Sequence, residues 1–189
     1  MGGRRLGLGY RRWVRRMLAV AFPSAGLLLL IGATAFVVRS VTGPLTVPEQ
    51  YREVVRSAAA SCPGLSPVLL ASQIQQESNW RPQATSPAGA LGIAQFVPAT
   101  WSAYGVDGDH DGVKDVNNPA DAIPGAARYN CVNRASVAGL PGDPVRNMLA
   151  AYNAGPTAVH RYRGVPPFPE TRRYVDEILA RAQILTLGD

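Results

Sequence analysis

Apolar residues in this chain dominate one long uncharged run, followed by a series of short stripes at helical spacing. The run extends from Met17 to Val38, carries no charge and contains Leu27-Leu28-Leu29-Leu30-Ile31. As a helix it would rise about 33 Å, close to the thickness of a hydrocarbon core. Further along, Leu70, Ile74 and Glu77 fall at i, i+4, i+7, which places a carboxyl group on an apolar stripe. Val145, Met148, Leu149 and Tyr152 make a second stripe, and Val175, Ile178, Leu179, Ala182 and Leu185 a third. Proline just inside a capping position marks several helix starts: Ser66-Pro67, Asp143-Pro144 and Pro169-Glu170. Pro48-Glu49 opens a further helix running to about Ser61. No long alternating pattern is present, so the expected fold is mainly α, with a short hairpin between residues 80 and 97.

Charge divides the chain in two. Seven of the 19 basic residues precede residue 40, and all 13 acidic ones lie beyond residue 48, so the first 48 residues carry +7 and the remainder −1. A nucleic-acid-binding domain would carry its cations on the folded part; here they sit beside the apolar run, so no nucleic-acid partner is expected. Arg4, Arg5, Arg11, Arg12, Arg15 and Arg16 keep residues 1–16 in the cytoplasm by the positive-inside rule. Residues 17–38 then read as a transmembrane anchor or a signal peptide. Ala33-Thr34-Ala35 has the small-x-small form of a cleavage site, but the apolar run continues past it, which favours the anchor. Residues 39–48 (RSVTGPLTVP) read as linker, and residues 49–189 as one globular domain outside the cytoplasm. Cys62 and Cys131 are the only cysteines. They make no closed zinc set, and in an oxidising space they are expected to pair.

Glu77 lies in the last turn of its expected helix, where the macrodipole is negative. Burial and that dipole both disfavour the anion, so its pKa should be raised, as a general acid near neutral pH requires. A glutamate near a helix end is commonly a solvated surface group, so a catalytic role needs support from the rest of the chain.

That support comes from a series of motifs in fixed order. Glu77-Ser78 comes with Trp80 and Pro82, then Ser86-Pro87-Ala88-Gly89-Ala90-Leu91-Gly92-Ile93-Ala94-Gln95. Ala151-Tyr152-Asn153-Ala154-Gly155-Pro156 and Glu170-Thr171-Arg172-Arg173-Tyr174-Val175 come later. From about residue 50 to 182 the chain resembles the lytic transglycosylase domain of bacterial murein transglycosylases (glycoside hydrolase family 23, relatives of goose-type lysozyme). The resemblance implies a lysozyme-like α+β fold, mainly α, with a groove for peptidoglycan strands. It implies Glu77 as the sole acid/base and Ser86 as a contact to an N-acetyl group. Gln95 would end the family's Gly-Leu-Met-Gln motif, which here reads Gly92-Ile93-Ala94-Gln95, so the apolar contacts there differ while the amide remains. Tyr152 and Asn153 would belong to the Ala-Tyr-Asn motif, and Glu170 and Tyr174 to the pair that supports the centre.

Most glycosidases use two carboxylates. In this family the substrate's own N-acetyl group attacks instead, and the sugar's 6-hydroxyl closes a 1,6-anhydro ring. Cleavage of the MurNAc-GlcNAc β-1,4 bond therefore needs one glutamate and no cofactor. The same acid would serve a hydrolytic muramidase, and a fold that had lost turnover would remain a glycan-binding module; the residues alone leave these open.

Asp107-Gly108-Asp109-His110-Asp111-Gly112-Val113 reads as a calcium loop, three carboxylates at alternate positions with Val113 able to offer its carbonyl. Its twelfth position is Asn118, not glutamate. Some membrane-bound lytic transglycosylases carry a variant whose last carboxylate comes later, as Asp121 does here. Asp121 also reads as a helix cap, with Pro124 in the first turn.

Overall fold

The computed structural model describes residues 45–188. The basic segment 1–16, the apolar run 17–38 and most of the expected linker lie outside the described residues. Among the described residues, no helix is long and apolar enough to cross a membrane.

Seven helices and two very short strands make up this region: β1 (Leu45–Thr46), α1 (Glu49–Ala60), α2 (Pro67–Ser78), α3 (Pro98–Tyr104), α4 (Pro119–Ser136), α5 (Pro144–Ala154), α6 (Pro156–Tyr162), α7 (Pro169–Ala182) and β2 (Leu185–Thr186). Every one of the helices after α1 has proline in its first turn, where the missing N–H costs nothing. Two starts are also capped as expected. Ser66 Oγ accepts from Leu69 N at 3.1 Å, and Asp143 Oδ1 from Arg146 N at 2.8 Å.

The core forms where the stripes converge. Leu70 and Ile74 of α2, Ile123 of α4, Met148 and Leu149 of α5, and Val175 and Ile178 of α7 are all fully buried. α2 packs against α7, α5 bridges α4 and α7, and α1 lies across α2 and α4. The expected disulfide is present: Cys62, just after α1, joins Cys131 in α4, with 5.6 Å between their Cα atoms.

The structure differs from the sequence expectations in four places. The domain starts before residue 49, because β1 pairs in parallel with β2 and Val47 is fully buried. Three residues between Pro44 and Pro48 are too few for alternation to show. Leu185 is buried but belongs to β2, since α7 ends at Ala182. Residues 80–97 form no hairpin strands. They are a loop held by two isolated antiparallel bridges, Thr85 to Leu91 and Leu91 to Phe96. Finally, Asn118, not Asp121, caps α4, accepting from Ala120 N at 3.0 Å, so Pro124 sits beyond the first turn.

Candidate active site

α2 ends at Ser78 because Asn79 and Trp80 turn to positive φ (52° and 63°). Trp80 then stacks on Tyr51 of α1, with ring centroids 5.4 Å apart, which fixes the direction in which the chain leaves the helix. Glu77 is therefore held at the helix end, on the wall of a cavity of about 530 Å³. Ser86, Gln95, Phe96, Tyr129, Tyr152 and Glu170 also line that cavity.

The chemistry of Glu77 comes from its surroundings. Burial drives the carboxyl up from 4.5 to about 8, opposed in part by a hydrogen bond that Tyr174 donates to Oε1 at 2.5 Å. At pH 7 such a group is protonated by roughly ten to one. Among the described residues, no cation lines the cavity to pull the value back. Glu77 Oε2 has no hydrogen-bond partner among the described residues, which leaves one oxygen to serve the cavity.

The loop between α2 and α3 contributes Ser86, Gln95 and Phe96 to the lining, and its shape depends on close backbone contact. Gly92 has φ +75°, and a Cβ there would lie 2.0 Å from the carbonyl oxygen of Val116. Gln95 also adopts positive φ, 51°, and spends its amide N–H groups on the carbonyls of Gly92 (2.9 Å) and Ala84 (3.2 Å). Ser86 Oγ accepts from Ala90 N at 3.0 Å. Both side chains thus shape the loop as well as facing the cavity.

α5 and α7 contribute Tyr152, Asn153 and Glu170 to the lining. Tyr152 donates to Ala94 O at 2.9 Å, and its phenol pKa is raised well above normal by burial and by the charge of Glu77. Tyr152 also touches Tyr129 and Phe96, with centroids 5.1 and 6.1 Å away. Asn153 Oδ1 accepts from Thr171 Oγ1 at 2.7 Å, which ties the end of α5 to the start of α7. Glu170 is exposed at the rim. Tyr174 sits behind Glu77 in the core and does not line the cavity.

Sequence reasoning missed Tyr129, Thr100 and Val97 of the lining, and Gln73 and Asn130 behind it. Gln73 and Asn130 are fully buried and linked to Tyr174. The one available signal was a pair of amides at helix positions that face inward.

The acidic loop is gathered apart from this cavity. Carboxylate oxygens of Asp107, Asp109 and Asp121 lie within 4.8 Å of one another. Asp111 and Val113 are outside that group; the Asp111 carboxylate accepts from Val113 N at 2.8 Å, and Val113 is exposed. Asp121 is fully buried and brackets the loop, accepting from Gly108 N at 2.7 Å and Asp115 N at 2.9 Å.

Parts of this chain are similar to known proteins. The membrane-bound lytic murein transglycosylase F of Serratia proteamaculans is 40% identical over 89 residues, which cover 46% of this chain and 17% of that protein. A transglycosylase of Enterobacteria phage PRD1 is 34% identical over 90 residues, covering 47% of this chain and 34% of that one. The chain thus spans about a third or less of the relatives it matches. The 70-kDa soluble lytic transglycosylase of Escherichia coli shares the fold with a TM-score of 0.57 at 24% identity, over 70% of this chain and 23% of that one. The family described as "Transglycosylase SLT domain" matches residues 55–175, more than half of the sequence, and the chain belongs to that family.

Proposed function

We propose that this domain cleaves peptidoglycan glycan strands as a lytic transglycosylase, with Glu77 as its single acid/base. The observation that supports this most is a carboxyl group held largely protonated at neutral pH on the wall of a sugar-sized cavity. Glu77 gives its proton to the bridging oxygen as the MurNAc C1–O bond breaks. The carbonyl oxygen of the neighbouring N-acetyl group attacks C1 and forms a cyclic intermediate. The resulting Glu77 carboxylate then takes the proton of the sugar's 6-hydroxyl, whose oxygen bonds to C1 and opens that ring. The product is a 1,6-anhydro end, no water is consumed, and Glu77 regains its proton. No cofactor takes part.

The position of Glu170 favours a second reading. It lines the same cavity as Glu77, so a water activated by it would make the enzyme a hydrolytic muramidase. Incubating sacculi with the full chain and its variants tests both. Glu77→Gln should release no soluble muropeptides, whereas Glu170→Gln should keep most of the release. Activity surviving in Glu77→Gln contradicts the proposal, and loss of activity in Glu170→Gln together with reducing ends favours hydrolysis.

The setting is the outer side of the cytoplasmic membrane, where the Cys62–Cys131 bond persists. The apolar run 17–38 would serve as anchor or export signal. In the acidic loop, Asp107, Asp109 and Asp121 suit calcium, a hard cation that takes oxygen ligands. There it would neutralise converging carboxylates and clamp the loop onto α4, away from the reaction.

A further inference from the structure

Three buried side chains stand in line behind Glu77, each donating to the next. Asn130 Nδ2 of α4 donates to Gln73 Oε1 of α2 at 2.7 Å. Gln73 Nε2 donates to the Tyr174 hydroxyl of α7 at 3.0 Å, and Tyr174 donates to Glu77 Oε1 at 2.5 Å. Gln73 and Asn130 are 0% exposed, so neither touches glycan.

The direction of this chain is set by its last member. When Glu77 is ionised it can only accept, so in that form the phenol spends its proton on Glu77. Its oxygen is then an acceptor, Gln73 must present an N–H, and Asn130 must donate to the Gln73 carbonyl. At the far end of the line, Asn130 Oδ1 is buried without a partner. Turning both amides would point the Gln73 carbonyl at the phenol and draw its proton away from Glu77.

We infer that Gln73 and Asn130 are positioning residues, holding Tyr174 as a donor to Glu77 Oε1 and so reserving Oε2 for the transferred proton. With Oε1 accepting from Tyr174 in the ionised form, a proton arriving at Glu77 has one place to bind, the oxygen left to the cavity. The chain also polarises the phenol, since bonds in series strengthen one another. Stronger donation favours the anion, so the chain partly offsets what burial does to Glu77. The titratable groups facing Glu77 are Tyr174 of α7 and Tyr152 of α5, with Tyr129 of α4 behind Tyr152 and Glu170 at the rim. This inference rests on the transglycosylase reading for its catalytic meaning.

The test is a carbon-13 NMR titration of the Glu77 carboxyl in the full chain, purified in detergent. Gln73→Met keeps the shape and removes the donor; it should move the Glu77 midpoint upward. Asn130→Ala should move it the same way by less. On sacculi, Gln73→Met should lower kcat about tenfold, leave KM nearly unchanged and shift the basic limb of the kcat profile upward. A purely structural role would lower Tm and leave both the midpoint and that limb in place. In the unmutated chain, the Gln73 side-chain amide proton should titrate with the Glu77 midpoint, which needs no variant to fold. A Gln73 amide indifferent to Glu77, or an unmoved midpoint in a folded variant, overturns the inference. Because the titration uses no substrate, a chain inert on sacculi would overturn the transglycosylase reading separately.

Discussion

Tyr174 and Glu77 lie 97 residues apart in sequence, and a 2.5 Å hydrogen bond joins them. It opposes burial, the larger influence, and leaves the carboxyl at about 8. In Tyr174→Phe, burial acts without that opposition, so the carboxyl should titrate higher still. The basic limb of the activity profile should move to higher pH, and kcat should fall about tenfold or more as the carboxyl loses its fixed orientation. A profile unchanged from the unmutated enzyme would contradict this role.

Glu77 should also make the fold less stable in alkali. Its folded pKa, about 8, lies above its unfolded value of 4.5, so the folded state binds the proton more tightly. The associated stability is fully present below about 4.5 and is lost as pH rises through about 8. Glu77→Gln should match the unmutated domain at about pH 4 and exceed it at about pH 9 by about 1–3 kcal/mol, a figure discounted for water reaching the cavity. Thermal denaturation across that range measures it, and a constant difference at all pH values would count against the raised pKa.

The Cys62–Cys131 bond closes a loop with a sequence separation of 69. Restricting the unfolded chain over that length is worth about 4 kcal/mol. Replacing both cysteines with serine should lower Tm by roughly 10 °C or more in a domain of this size. A midpoint unmoved in denaturant would show that the bond contributes little.

Asp121 has both carboxylate oxygens occupied by backbone N–H groups in the acidic loop. An amide in its place would turn a donor toward a donor, so Asp121→Asn should lose about 2–3 kcal/mol. Calcium at millimolar levels should raise Tm, a chelator should reverse the gain, and Asp121→Asn should abolish it. A Tm indifferent to both additions would rule calcium out of this loop.

Local features were legible in the sequence where a few neighbouring residues decide them. Ser66-Pro67 and Asp143-Pro144 announce their helices, and the i, i+4, i+7 spacing puts Glu77 on an apolar face within its own helix. Relationships across the fold were not. The partners of Gln73 are 57 and 101 residues away, so its inward-facing helix position was the only local sign and the bonds it makes were not legible. Asn118 and Asp121 are both good caps, and only the buried carboxylate contacts to Gly108 and Asp115 show why Asn118 takes the role. Val47 looked like linker because its burial depends on a strand that arrives at the far end of the chain.

The most direct measurement digests purified sacculi with the full chain in ¹⁸O-labelled water and identifies the MurNAc ends by mass spectrometry. Glu77 acting alone predicts ends lighter by one water, resistant to borohydride and free of label. Fresh reducing ends that carry the heavy oxygen would mean that water attacks the sugar, and would contradict the single-carboxylate mechanism.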